Sequence, residues 1–469
     1  MTQTAPINSA ARISESVTGG QLKACDVVAR TLSAIDQLDA EINCFTLVLR
    51  ERAMNRAAAL DCSLAAGASV GPLAGVPFAV KNLFDIAEHS TVAGSLINTE
   101  HPPASEDAVL IQRLEAAGAI LVGALGMGEY AYDFTGENHH YGAVRNPWDT
   151  SRMSGGSSSG SGAALAARLV PLALGSDTNG SIRVPASLCG GFGLKPTYGA
   201  LPRTGSFPFC DSLDHLGPMA NCAVDLALSF DAMQGWDAGD RACVNRAPVA
   251  TLPELHKGID GLRLAVAGGY FDCASFPAAE RAVATVSAAL GVEQALQLEG
   301  AAEGRAAAYL ITNAEGGALH RERLQRRLID FDPDTRDRFI AGNLLPAGWY
   351  QRAQAVRARW RQQMAEVFGQ VDIIVAPATP CVAPYLGAQT LRINGKDEAL
   401  RPNLGLFTQP FSAIGLPVCS VPLADPDSGL PIGVQLVAAP WREDLCLRVA
   451  AFLESSGVTL ASSPELGEV

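Results

Sequence analysis

The sequence predicts an α/β fold in which a central mixed β-sheet is covered by helices on both faces. Short apolar stretches typical of strands alternate with amphipathic helical segments along much of the chain, as they do when helices connect the strands of one sheet. Hydrophobic residues make up 48% of the 469 positions, which is enough for a large core. A soluble globular protein is therefore expected.

The first predicted element is an amphipathic helix near the N-terminus. Thr18 followed three residues later by Gln21 is predicted to form a capping box at its start. Apolar side chains then recur at helical spacing at Leu22, Cys25, Val28, Leu32, Ile35 and Leu38. This pattern is typical of a helix that packs one face against the body of the protein.

The alternation of strands and helices follows in two blocks. In the first block, an apolar stretch that begins near Gly75 predicts a strand ending at Lys81, before a helix over 107–119 and a strand over 120–124. In the second block, strands are predicted over 262–267, 372–376, 416–422 and 432–438, and helices over 278–290, 349–367 and 443–454. Between the blocks lies a segment dense in Gly, Ser, Asn and Pro, which predicts a functional loop region over 123–216.

Charge and cysteine content narrow the function classes. A formal net charge of −13 argues against a protein that neutralises nucleic-acid phosphates. The eleven cysteines are odd in number and form no C-x-x-C pair, which predicts reduced, buried thiols at positions such as Cys25, Cys62, Cys189, Cys273 and Cys446. The N-terminal residues show no secretion signal, and no apolar run is long enough to span a membrane. We therefore expect a cytoplasmic protein that binds neither membrane nor nucleic acid.

The glycine and serine run from Gly155 to Gly162 admits several interpretations. A phosphate loop would require a Lys that is missing, and a dinucleotide loop would require a strand directly before the run. The G-x-S-x-G elbow of α/β-hydrolases is matched with Ser158 as nucleophile, and a histidine for it would have to come from His215, His256 or His320. A flexible linker is disfavoured because residues 163–169 predict the start of an apolar helix.

A second glycine-rich loop, from Gly175 to Arg183, favours a different interpretation. Together the two loops resemble the amidase signature family, whose pattern GGSS[GS]G…G[ST]DTxGSIRxPA runs from Gly155 to Ala186. The resemblance extends over nearly the whole chain through GVPFAVKNLFD, NPWD, GLKPTYG, SLDHLGP and APATP. Asn179 departs from the pattern, because many family members carry glycine there.

The resemblance implies one amidase domain over 1–469 and a set of catalytic roles. Its parts would be a helical N-terminal segment over about 1–70, a signature core over about 71–235 and a remainder that completes the sheet and the pocket. By resemblance, Ser181 is the nucleophile and Lys81 is the base. Ser157, which a cis peptide bond holds in place, relays protons between them. Lys81 must be neutral to accept a proton, so its pKa must be depressed below the ordinary value of about 10.4.

Further residues would support this chemistry. Successive backbone amides of a glycine-containing loop can bind a developing oxyanion, and the resemblance assigns this role to Thr178, Asn179, Gly180 and Ser181. Asp177 and Arg183 are expected to brace the loop, with Ser158 and Ser159 nearby. No metal or organic cofactor is needed for these steps. The neighbouring His139 and His140 do not complete a metal-binding pattern.

The substrate is the least determined part of the prediction. Strings such as DHLGP, DAMQG and PIGVQLVAAPW resemble the 1-carboxybiuret hydrolase branch of the family. That resemblance implies release of ammonia from a small ureido acid in cyanuric acid (s-triazine) degradation, an oligomer and a small helical companion subunit. The alternatives are hydrolysis of allophanate, oxalurate or other amides, the amidase-type component of a glutamyl-tRNA amidotransferase, and a noncatalytic partner-binding subunit. Candidate contacts for an anionic substrate are Arg321, Arg323, Arg327 and His215.

Overall fold

The computed structural model describes residues 9–459, 461, 463 and 464. Within these residues the chain forms fifteen strands: β1 (Phe45–Val48), β2 (Pro77–Lys81), β3 (Ile120–Leu125), β4 (Arg145–Asn146), β5 (Asp149–Met153), β6 (Leu172–Asp177), β7 (Phe192–Lys195), β8 (His215–Ala220), β9 (Leu264–Gly268), β10 (Ala295–Gln297), β11 (Ile373–Pro377), β12 (Thr390–Ile393), β13 (Lys396–Ala399), β14 (Val418–Ala424) and β15 (Pro431–Ala438). The fourteen α-helices of the same residues are α1 (Ala10–Thr18), α2 (Ala24–Ile42), α3 (Arg50–Ala65), α4 (Val109–Ala116), α5 (Ser159–Ala166), α6 (Arg183–Cys189), α7 (Ala223–Met233), α8 (Pro277–Leu290), α9 (Ala301–Arg327), α10 (Pro333–Asn343), α11 (Ala347–Phe368), α12 (Leu400–Asn403), α13 (Gln409–Ser412) and α14 (Glu443–Ser455).

Eleven of these strands form one mixed sheet in the order β1-β3-β2-β6-β8-β7-β14-β15-β11-β9-β10. The neighbours β3, β2 and β6 run parallel, as do β11, β9 and β10, and the strands between these two groups are antiparallel. The prediction of a central mixed sheet is confirmed.

Helices cover this sheet on both faces. Every residue of β2, β3, β6, β8, β11 and β15 is buried, so neither side of these strands meets solvent. One group of helices contains α5 and α6, which contact each other and the central strands, and another contains α7, α14 and α8. The prediction that helices cover both faces of the sheet is therefore confirmed as well.

Near the N-terminus the structure departs from the sequence-based expectations in three ways. The predicted helix exists as α2, but it begins at Ala24, where the Asp61 carboxylate accepts from Ala24 N and Cys25 N, and Thr18 closes the preceding helix by donating to Ser14 O. The capping-box prediction is therefore wrong. The segment expected to be helical also contributes β1, an edge strand paired with β3. Cys62, expected to be a buried thiol, is exposed on α3.

The long helix α9 is the largest element that periodicity did not reveal. Its glycines permit close packing against neighbouring helices, because a Cβ at Gly304 would lie 2.6 Å from the Trp360 ring and one at Gly317 would lie 2.8 Å from Asn343 N. Small residues at such contacts replace the large apolar side chains by which an amphipathic helix is usually recognised. The neighbouring α10 was missed too, and both helices contribute to the site described below.

Strands from all three predicted segments of the chain share the eleven-stranded sheet. The boundaries of a single domain over 1–469 stay a prediction. Among the described residues, no helix is both long enough and apolar enough to cross a membrane.

Candidate active site

The candidate site lies where the parallel strands β2 and β6 end. Val80 pairs with Leu174 in the register of these strands, so Lys81 and Ser176 both lie at their carboxyl ends. The carboxyl ends of parallel strands at one edge of a sheet commonly hold the reacting groups of α/β proteins. The helix α5 and the loop before α6 bring the two serine-bearing segments to the same edge.

Lys81 is fully buried and contacts two serine hydroxyls. Its Nζ donates to Ser157 Oγ at 2.6 Å and to Ser176 Oγ at 2.9 Å. Burial lowers the pKa of Lys81 to about 7, although the charges of Asp177, Asp214 and Asp133 act in the opposite direction. A substantial fraction of the amine is therefore neutral near pH 7, as the predicted role of base requires.

Ser157 and Ser158 lie at the start of α5 in different surroundings. The peptide bond between Gly156 and Ser157 is cis, as the family resemblance implied, and Ser157 Oγ contacts Lys81. Ser158 Oγ instead donates to Ser176 O at 3.2 Å and accepts from Ser176 N at 3.2 Å. Ser158 therefore holds the two loops together through the main chain, and no strand leads directly into it as a hydrolase elbow requires.

The loop between β6 and α6 presents unpaired backbone donors. In the part of the chain that the structure describes, the N–H groups of Thr178, Asn179, Gly180 and Ser181 have no hydrogen-bond acceptor. Gly180 has a φ of +140°, and a Cβ there would lie 2.2 Å from Thr408 Oγ1, so the loop requires glycine at this position. Thr408 Oγ1 in turn donates to Asn179 O at 2.6 Å and fixes the loop from its far side.

A buried ion pair braces the same loop. Arg183 Nη2 and Nε donate to the two carboxylate oxygens of Asp177, each at 2.9 Å, and Ile182 N donates to Asp177 Oδ2 at 3.2 Å. Burial by itself would raise the pKa of Asp177, but the Arg183 guanidinium outweighs it and lowers that pKa to about 2. Both residues are fully buried, and their hydrogen bonds to each other fit the bracing role predicted from sequence.

Ser181 lines a small, narrow cavity. Its Oγ makes no hydrogen bond to any described residue. The other lining residues come from three connecting segments and from α9, α10 and α13: Ala131, Tyr132, Asp133, Phe134, Thr178, Asn179, Phe209, Tyr309, Thr312, Arg338 and Gln409. A small substrate in this cavity would meet the Ser181 hydroxyl directly.

Arg338 is a positively charged residue that lines the cavity, and no sequence pattern indicated it. It lies on α10, its Nη1 donates to Tyr132 O at 2.8 Å, and its guanidinium lies 3.7 Å from the centre of the Tyr132 ring. Within the described residues Arg338 makes no ion pair, whereas the Asp133 carboxylate in the same cavity is paired with Arg401 at 2.8 Å. The cavity therefore has a positive group available for an anion.

The cationic candidates named from sequence lie elsewhere. Arg327 pairs with Glu100 and Asp330, Arg323 stacks near Phe207, and neither of them nor Arg321 lines the cavity. Sequence alone could not choose among these arginines, because the choice depends on how α9 and α10 pack. Arg338 is the arginine that lines the cavity, and none of the three arginines suggested from sequence does.

His215 is placed behind the loop rather than in the cavity. Its Nδ1 lies 2.6 Å from Leu213 O and 3.0 Å from Asp177 O, and burial lowers its pKa well below the ordinary value. A neutral ring that donates to a main-chain carbonyl supports the backbone, so the structure does not favour the predicted substrate contact. His140 likewise has a structural partner, with its Nε2 3.2 Å from Glu129 Oε1.

A second buried lysine was not singled out from sequence. Lys195, at the end of β7, donates to Pro196 O at 3.1 Å and also to Leu416 O. Burial and the nearby Arg183 lower its pKa to about 7. Its partners are main-chain carbonyls rather than a serine hydroxyl, which distinguishes it from Lys81.

Comparison with known proteins agrees with this geometry. The family model described as Amidase matches residues 26–447. The chain belongs to the amidase signature family. Family membership makes it a hydrolase of carbon–nitrogen bonds in linear amides and agrees with the α/β fold observed.

Two curated relatives cover nearly the whole chain. AtzE of Pseudomonas sp. (strain ADP), a component of 1-carboxybiuret hydrolase, is 51% identical over 447 residues, which is 95% of this chain and 98% of the relative. The A component of the glutamyl-tRNA(Gln) amidotransferase of Symbiobacterium thermophilum is 35% identical, and the match covers 94% of this chain and 95% of the relative. The resemblance to the 1-carboxybiuret hydrolase branch is confirmed.

A solved structure is similar over almost its full length. It belongs to a study of a vestigial protein complex and the evolutionary origins of an s-triazine catabolic enzyme. Its chain superimposes with a TM-score of 0.96 at 50% identity, and the match covers 97% of this chain and 100% of that one. The fold assignment therefore rests on a near-complete structural match.

Proposed function

We propose that the protein hydrolyses a terminal amide of a small carboxylated urea, 1-carboxybiuret being the best candidate, to urea-dicarboxylate and ammonia in s-triazine degradation. The observation that carries the proposal is the 2.6 Å hydrogen bond between buried Lys81 and Ser157 beside the Ser181 cavity. A neutral lysine, a relaying hydroxyl and a free nucleophile at one strand edge are the groups that amide hydrolysis requires. The relative that is 51% identical is a component of 1-carboxybiuret hydrolase, which supports the substrate class.

In the first half of the proposed reaction, neutral Lys81 accepts the proton of Ser157 as Ser157 takes the proton of Ser181. Ser181 Oγ then attacks the amide carbon, and the carbonyl oxygen becomes an oxyanion. The unpaired amides of Thr178, Asn179, Gly180 and Ser181 are the proposed donors to that oxyanion. Their lack of other partners supports this assignment.

In the second half, the proton held by Lys81 returns through Ser157 to the leaving nitrogen, and ammonia departs from an acylated Ser181. Water then attacks the acyl carbon after giving a proton to the same relay. The relay returns its proton to Ser181, which leaves as the hydroxyl, and the carboxylic acid product then loses its own proton to solvent to become a carboxylate. Neither step consumes an external acid or base, since Lys81 ends as it began.

Arg338 supports an anionic substrate over a neutral amide. Its guanidinium lines the Ser181 cavity, and its stacking on Tyr132 and its bond to Tyr132 O fix its orientation. Arginine binds carboxylates through two parallel hydrogen bonds, which gives it geometric specificity as well as charge. We assign the substrate carboxylate to this residue.

Replacement of the nucleophile tests the proposal. Ser181→Ala is expected to remove turnover of 1-carboxybiuret while circular dichroism and the melting temperature stay near wild type, because Ser181 Oγ makes no hydrogen bond within the described fold. Ser158→Ala is the matched control and should retain far more activity. Ammonia release from carboxybiuret, allophanate, oxalurate, biuret and glutamine would rank the alternatives, and a fully active Ser181→Ala protein would refute the mechanism.

The companion subunit, the oligomer and the cytoplasmic location stay part of the proposal. The similar solved structure comes from a protein complex. Leu344 and Trp349, near the junction of α10 and α11, are 76% and 56% exposed. A contiguous apolar patch at this junction would be typical of a surface that binds another protein. All eleven cysteines are unpaired, which agrees with a reducing compartment.

A further inference from the structure

Asn179 carries a buried polar atom that the fold leaves without a partner. The side chain lines the Ser181 cavity and is 7% exposed. Its Nδ2 donates to Thr312 Oγ1 at 2.8 Å, whereas its Oδ1 has no hydrogen-bond donor among the described residues. An unpaired buried acceptor is unfavourable, so such an atom in a native structure requires an explanation.

The other polar side chains of the cavity do not share this feature. Asp133 accepts from Thr135 and Arg401, and Gln409 Oε1 accepts from Arg305 at 2.8 Å. Among the lining residues within the described chain, Asn179 alone has a solvent-inaccessible side-chain atom with no partner. With Nδ2 committed to Thr312 on α9, Asn179 has an acceptor without a partner in the cavity that Ser181 also lines.

We propose that Asn179 selects ureido substrates by accepting a hydrogen bond from the N–H that adjoins the scissile carbonyl. This inference rests on the proposed function and adds to it the chemical feature that separates a urea from a simple amide. A simple amide has a CH₂ group at that position, which cannot donate. Binding it would leave Oδ1 unpaired, and a site built to accept a hydrogen bond discriminates against such an analogue.

A matched pair of substrates isolates this contact. Biuret and malonamide have the same two terminal amides and differ in a central NH or CH₂. The ratio of their kcat/KM values in each protein, compared between variants, removes the intrinsic difference in carbonyl reactivity. Asn179→Ala should reduce the preference for biuret about tenfold, within the range of one hydrogen bond in a buried site. Thr312→Val, which frees the amide to rotate, should reduce it by a smaller factor.

Thr178→Val provides the control for general damage to the loop. Thr178 Oγ1 donates to Asp214 Oδ1 at 2.7 Å, so its loss disturbs the same loop without removing the Asn179 acceptor. Thr178→Val should lower kcat/KM for both substrates by the same factor and leave the ratio of the two values unchanged. A preference in Asn179→Ala within twofold of wild type would overturn the proposal, as would an equal change of the ratio in Thr178→Val.

Binding measurements separate this inference from the proposed function. Calorimetry on Ser181→Ala and on Ser181→Ala combined with Asn179→Ala gives the affinities of the same pair without turnover. We expect biuret to bind more tightly than malonamide to the protein that retains Asn179. The ratio of the two affinities should fall about tenfold in the double variant. If wild type does not hydrolyse 1-carboxybiuret but this difference is found, the proposed reaction fails and the recognition stands. Equal affinities, or no binding of either compound, would refute the role of Asn179.

Discussion

The dependence of activity on the ionisation of Lys81 is the sharpest test of the mechanism. An amine with its ordinary pKa of about 10.4 would be neutral in only about 0.04% of molecules at pH 7. Burial lowers the pKa of Lys81 to about 7, so about half of the molecules carry the neutral base at that pH. The structure therefore increases the population of active base by roughly a thousandfold.

The sign of the pH effect follows from this shift. The proposed relay needs the deprotonated amine, so kcat/KM should be nearly constant above about pH 8 and fall about tenfold per unit below about pH 6. Initial rates of ammonia release between pH 5 and pH 9 measure the profile. At pH 5, about one percent of the maximal rate should remain.

Lys81→Arg separates basicity from positive charge. A guanidinium keeps its proton and cannot accept one from Ser157, so the rate should fall by about 10² to 10⁴ although the charge is kept. Lys195→Met is the control, because burial lowers the pKa of Lys195 to about 7 as well. The fall in kcat/KM at low pH, the acid limb of the profile, should persist in Lys195→Met. Near-normal turnover of folded Lys81→Arg, or loss of the limb in Lys195→Met alone, would refute Lys81 as the base.

Three further predictions address the substrate, the loop and the cofactor requirement. Arg338→Gln should lower kcat/KM for a carboxylated urea by about 10-fold to 100-fold and change that for biuret little, and an equal loss on both would refute carboxylate recognition. Arg183→Met should destabilise the protein by about 3 kcal/mol in denaturant titrations because it leaves Asp177 buried and unpaired, and Arg183→Met combined with Asp177→Leu should recover part of this loss. Activity should survive exhaustive chelation and dialysis, since the proposed relay uses only side chains, and specific rescue by one metal would require another mechanism.

The local sequence was sufficient to predict many of the elements and the reacting groups. Strands such as β2, β3, β11 and β15 are short apolar runs bounded by polar or glycine-rich residues, and burial on both faces follows from that composition. The roles expected for Lys81, Ser157 and Ser181 followed from the resemblance of their motifs to the amidase signature pattern. The structure brings Lys81 within hydrogen-bond distance of Ser157, and it gives Asp177 and Arg183 the bracing contact predicted for them.

The substrate pocket was decided by tertiary packing. Arg338, Thr312 and Gln409 lie between about 130 and 230 residues after Ser181 in the chain, yet all four line one cavity. No local pattern distinguishes Arg338 from Arg323 or Arg327, because what differs is the face that each helix turns toward the loop. The glycines that let α9 pack closely also hid that helix from periodicity. Sequence therefore determined which chemistry the chain carries, while the packing of distant helices decided which side chains meet the substrate, since charge and donor positions in a cavity depend on three-dimensional proximity.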